Sequence, residues 1–158
     1  MAYSNFEQRT MDLDLYFRDS SKNVHIASGG GLIPDFINQI EAEIEAFKDE
    51  VENIEQTFEV SINPNLRELL DLEEDGYEDY ISSFVFNAKK GFFSYDKSRL
   101  GDFENVLFHL VAYPNINSES PAIEFMNMPQ LSFVNLSLEM DSFNLNESIT
   151  NDLSNFEN

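Results

Sequence analysis

From position 10 to position 18 hydrophobic and polar residues alternate one for one. Met11, Leu13, Leu15 and Phe17 fall on one side and Asp12, Asp14, Tyr16 and Arg18 on the other, the period of a strand with one buried face. Asp19-Ser20-Ser21-Lys22 supplies turn chemistry, and 23–28 returns as a second strand, so the first unit is a β-hairpin. Gly29-Gly30-Gly31 ends it. Beyond Pro34, a residue suited to a first helical position, the period changes. Phe36, Ile37, Ile40, Ile44, Phe47, Val51, Ile54 and Phe58 recur in steps of three and four, which predicts one long amphipathic helix over about 34–57.

The remaining elements are shorter. The pattern predicts a strand over 58–62, a break at Asn63-Pro64, a short helix over 66–72 and an acidic loop over 71–79 around Gly76. A strand over 80–88 then turns through Lys89-Lys90-Gly91 into a strand over 92–96. Val, Phe and Leu mark a strand over 105–113 that Pro114 stops. Weaker strands follow over 122–126 and 131–140, and Ile149, Leu153 and Phe156 have helical spacing in the tail. The expected architecture is a single α+β domain over 1–158: a mainly antiparallel sheet packed against one long amphipathic helix, with a short C-terminal helix.

Charge changes the picture most. Thirty acids face nine Lys and Arg, a formal net charge of -21 over 158 residues. Asp35 to Asp79 holds sixteen acids against Lys48 and Arg67, and no Lys or Arg follows Arg99. A field of this sign repels nucleic acid and anionic membrane and steers basic partners inward. The apolar share of 42% and the fifteen Phe distinguish the chain from an acidic disordered tail. The absence of cysteine excludes disulfides, thiolate metal sites and a cysteine nucleophile. Met1 to Arg18 lacks the basic and apolar blocks of a secretory signal, and no apolar run is long enough for a membrane helix, so a cytoplasmic location is expected.

Specific chemistry is harder to find. Asp71, Glu73, Asp75 and Gly76 match the start of a calcium-binding loop, but Ser82 stands where the bidentate Glu belongs, so no metal site is assigned. The Gly29-Gly30-Gly31 run before a helix matches neither phosphate-binding fingerprint. His25 and His109 lie in strand patterns and read as structural, and no nucleophile elbow marks a Ser-His-Asp arrangement. Lys89, Lys90, Lys97 and Arg99 interleave with Phe92, Phe93 and Tyr95, but the molecule's field opposes nucleic-acid binding there. No catalytic residue and no cofactor is expected.

The reading that remains is a binding protein without catalysis, which neutralises a basic partner such as a toxin or another nucleic-acid-acting protein. In size and charge the chain resembles bacterial immunity proteins, antitoxins and phage-encoded inhibitors. The expected contact residues are Glu41, Glu45, Asp49 and Glu52 on the polar side of the long helix. Glu73, Glu74, Asp75, Tyr77, Asp79 and Tyr80 join them, the two tyrosines serving as aromatic anchors. The alternatives are a DNA mimic using the helix row as a phosphate rail, an assembly subunit built on the Phe-rich strands, and a metal-dependent enzyme using the histidines.

Overall fold

The computed structural model describes residues 3–18, 23–30, 33, 38, 41–64, 66–67, 74–97, 108–117 and 120. The strands expected over 122–126 and 131–140 and the C-terminal helix lie outside them. Among the described residues five strands form one sheet: β1 (Asp12–Arg18), β2 (Asn23–Gly29), β3 (Val60–Ile62), β4 (Phe92–Lys97) and β5 (Phe108–Pro114), in spatial order β1-β2-β4-β5-β3. Three of the four pairings are antiparallel; β2 and β4 run parallel at the centre. The α+β class and the mainly antiparallel sheet therefore hold, and so does the β1–β2 hairpin, whose register pairs Leu15 with Ile26 and Tyr16 with His25. A bulge lies where β4 passes from Ser94 to Tyr95 against β5.

Among the described residues three helices have defined bounds: α1 (Asn5–Thr10), α2 (Glu41–Glu52) and α3 (Glu74–Lys89). Helix α1 was not anticipated, because its six residues carry almost no apolar period. It rests on a capping box instead: the Ser4 hydroxyl accepts the Glu7 amide and the Glu7 carboxylate accepts the Ser4 amide. Gln8 locks it in place, donating to the Tyr3 carbonyl and accepting the Ile33 amide. Gly30, at φ 69°, lies where the chain passes the end of α1, and a Cβ there would approach the Arg9 carbonyl oxygen at 3.3 Å.

The single long helix over about 34–57 needs correction. Helix α2 ends at Glu52, and 54–57 are not helical. Asp49, Glu50 and Glu52 crowd its C-terminus with no basic residue in its last turn, which opposes the helix dipole. The end is closed by short-range bonds from the Asn53 amide to Glu50 and the Ile54 amide to Val51. Lys90 then adds a donor, its Nζ lying 2.8 Å from the Val51 carbonyl. The apolar stripe itself is as expected. Ile44 joins the core on one sheet face, while Phe47 and Val51 pack with Tyr16 and Phe92 of the other, so α2 lies along the β1 edge rather than flat on the sheet.

The longest described helix is α3, where an acidic loop and a strand over 80–88 were expected. Tyr77, Ile81, Phe84 and Ala88 form its buried stripe, in helical steps of four and three. The aromatic and β-branched run Tyr80-Ile81-Ser82-Ser83-Phe84-Val85-Phe86 imitates a strand, but acids at the start and Lys89 at the end suit a helix. Of the turn expected at Lys89-Lys90-Gly91, Lys90 and Gly91 turn and Lys89 ends α3; the turn joins a helix to β4, and Gly91 takes φ 105°. Helix α3 packs on β4 and β5. No described helix is long and apolar enough to cross a membrane.

Candidate functional site

Alternation gives the sheet two faces. On one, Leu13, Leu15, Phe17, Val24, Ile26, Phe93, Tyr95, Phe108 and Leu110 form the main core. The other faces α3 and carries Asp14, Tyr16, His25, Ser94, Asp96 and His109, one or two from each of four adjacent strands. Here a seam of polar side chains runs across the sheet, from Asp14, exposed at its outer end, to His109 beneath the helix.

His25 is its first junction. Its Nε2 lies 2.7 Å from Asp14 Oδ1, and its Nδ1 lies 2.5 Å from Ser94 Oγ. A carboxylate can only accept, so Nε2 carries the proton, and in the neutral ring Nδ1 accepts the Ser94 hydroxyl. The bond from His25 holds the Asp14 carboxyl below the usual range, against the opposing effect of burial. Tyr16 stacks on the imidazole with centroids 4.9 Å apart, and Phe84 of α3 approaches from 6.1 Å. The Tyr16 hydroxyl donates to Asn87 Oδ1 at 2.9 Å, tying β1 to α3.

Tyr80 is the second junction. It reaches down from α3 to Asp96 Oδ2 at 2.5 Å and to His109 Nε2 at 3.0 Å. Asp96 Oδ1 accepts the Lys97 amide at 2.8 Å. Ala27 lies between Asp14 and Asp96 in register and packs against the same apolar cluster as Tyr80, its small side chain leaving room for the phenol. Burial pushes the Asp96 carboxyl up to about 6, with the Asp14 charge adding to the rise, and pushes the His109 imidazole down to about 4.

Asp14, His25 and Ser94 thus form a hydrogen-bonded chain of the residue types found in serine hydrolases. Its chemistry is structural. Ser94 is fully buried in mid-strand, paired with His25 on one side and Ala112 on the other, so its hydroxyl is closed to substrate. Sequence reading placed Asp14 and Tyr16 on the side away from the core and took both histidines as structural. What it missed was that this second side is covered by α3, which had been read as loop and strand.

The acidic surface lies elsewhere. Glu45, Asp49 and Glu52 of α2 are exposed, away from the buried Ile44, Phe47 and Val51, and Glu41, one turn before Ile44, is half-buried. Lys48 pairs with Glu45 at 2.8 Å, and the Tyr3 hydroxyl also donates to Glu45. On α3 Glu78 and Asp79 are exposed; Glu74 and Asp75 begin that helix, and Glu73 lies outside the described residues. Tyr77 and Tyr80 are turned inward: Tyr77 is buried with the Arg67 guanidinium 4.0 Å from its ring centre, and Tyr80 belongs to the seam. The exposed aromatic of α3 is Phe86, with Lys90 Nζ 4.2 Å from its ring centre. No group of three or more His, Asp or Glu among the described residues is arranged to hold a metal ion. No protein-family model matches the chain, and neither a curated protein nor a solved structure matches it.

Proposed function

We propose that this chain is a binding protein without catalysis, whose acidic surface neutralises a basic partner in the manner of immunity proteins, antitoxins and phage-encoded inhibitors. The observation that carries the reading is the outward side of α2. Glu45, Asp49 and Glu52 stand exposed there, with the half-buried Glu41 at the start of the row, against Lys48 as the helix's one cation, on a molecule whose net charge is -21. Successive acids along such a row rise roughly 5 Å, a spacing that meets a cationic surface at several points. Asp79, exposed in the first half of α3, extends the field, and Glu73, Glu74 and Asp75 stay among the proposed contact residues on their charge. With Tyr77 and Tyr80 turned inward, Phe86 is the aromatic on that helix available to a partner.

Affinity capture from a native lysate, washed at low and then high salt, tests the reading. One basic protein retained at high salt by the wild type, and lost by a variant with Glu41, Glu45, Asp49 and Glu52 changed to Lys, is the expected result. Undiminished capture by the folded variant would remove α2 from the interface. A crowd of basic proteins released by salt would reduce the charge to non-specific attraction.

A further inference from the structure

Tyr80 has one hydroxyl proton and two hydrogen-bond partners. When Asp96 is ionised, both its oxygens only accept: Oδ1 takes the Lys97 amide and Oδ2 takes the Tyr80 hydroxyl. The Tyr80 oxygen then accepts from His109 Nε2–H. When Asp96 is protonated, the same heavy atoms support the opposite chain. The new Asp96 O–H donates to the Tyr80 oxygen, and Tyr80 O–H donates to a bare His109 Nε2. Either direction satisfies the contacts that join Asp96, Tyr80 and His109 Nε2 without moving α3.

We infer that Asp96, Tyr80 and His109 form a two-state proton switch beneath α3, in which uptake of one proton by Asp96 reverses the Tyr80 hydroxyl and moves the His109 proton from Nε2 to Nδ1. The protons balance. One arrives from solvent on Asp96; Tyr80 keeps its own and turns it; His109 gives up a proton at Nε2 and takes one at Nδ1, remaining neutral. The surroundings favour this order of events. From β1 the Asp14 carboxylate raises the affinity of Asp96 for a proton, and on β4 the Lys97 cation and amide oppose it. From β2 His25 faces the seam but is engaged by Asp14 and Ser94. From β1 Tyr16 is engaged by Asn87 of α3, and α3 itself contributes the Tyr80 phenol. Burial keeps His109 neutral down to about pH 4, well below the value near 6 at which Asp96 takes up its proton. Between the two lies a window in which only the reversed chain fits. The switch is independent of the partner-binding reading.

Side-chain 15N–1H NMR of His109, with the Asp96 carboxyl 13C shift as monitor, tests it at about pH 7.5 and about pH 5. The wild type is expected to show an Nε2–H tautomer at the higher pH and an Nδ1–H tautomer at the lower, the change following Asp96. Asp96→Asn, whose amide oxygen accepts the Lys97 amide and whose NH2 donates to Tyr80, is expected to hold the Nδ1–H tautomer at both. Tyr80→Phe is expected to uncouple His109 from Asp96. A single wild-type tautomer at both pH values, an imidazolium formed before Asp96 protonates, or an unchanged switch in Tyr80→Phe would overturn the inference.

Discussion

The two faces of the sheet come from the same strands, offset by one residue, and they meet the interior in different ways. On the apolar face Leu15, Phe17, Ile26 and Leu110 need only shape and volume. On the face beneath α3, Asp14, His25, Ser94, Asp96 and His109 each need a partner of matching hydrogen-bond character. The apolar face supplies stability. The seam contributes direction, since Tyr80 and Tyr16 reach Asp96 and Asn87 only when α3 sits at one height and one rotation.

Substitutions separate these roles. The largest loss belongs to the apolar face: Phe17→Ala, at a fully buried site, should cost about 3–5 kcal/mol in denaturant unfolding. On the seam the sign reverses. A buried acid whose folded pKa is raised, as for Asp96, adds stability that is complete at low pH and lost as pH rises through about 6. Asp96→Asn removes that loss and keeps the hydrogen bonds, so it should stabilise the protein by about 1–3 kcal/mol near pH 7.5, with the gain vanishing towards pH 4. His109 acts the other way, because its folded pKa is depressed. Its contribution is complete above its unfolded value and is lost as pH falls towards about 4. The Asn variant should therefore lose stability on acidification more steeply than the wild type, and equal slopes would show that Asp96 carries no such linkage. The smallest effect is that of Tyr16→Phe, which leaves Asn87 without its donor for about 1 kcal/mol and spares the apolar packing. A loss as large as that of Phe17→Ala would mean that the two faces are not separable.

How much of this was legible follows from the two periods. The alternation at Leu13, Leu15 and Phe17 forecast both the hairpin and its buried face, because period 2 leaves no second interpretation there. The stripe at Ile44, Phe47 and Val51 likewise marked α2. Its end was not legible, since the apolar stripe continues through Ile54 and Phe58, and the donor that caps the end, Lys90 on the Val51 carbonyl, comes from elsewhere in the chain. Helix α3 was misread because residues 80–86 are rich in types that favour strands, and only the longer spacing Tyr77, Ile81, Phe84, Ala88 reveals the helical stripe. That one error concealed the seam. Without a helix above the second face, Tyr16 looks solvated and the histidines look isolated; Asp14, at the outer end of the seam, is exposed as its alternation implies. Helix α1 had no periodic signal, but its Ser4–Glu7 capping pair was present in the sequence.

The parallel pairing of β2 with β4 has a kinetic consequence. β1–β2 and β4–β5 are each formed by consecutive strands, whereas β2 and β4 meet across all of α2, β3 and α3. Closing so long a stretch of chain carries an entropic cost before any contact repays it, which makes the middle of the sheet the slow event in folding. Where the antiparallel pairs of consecutive strands form first, the strands that end up inside the sheet, β2 and β4, are the ones whose backbone donors and acceptors stand open as edges. The time this chain spends vulnerable to self-association is set by how quickly its two halves find each other.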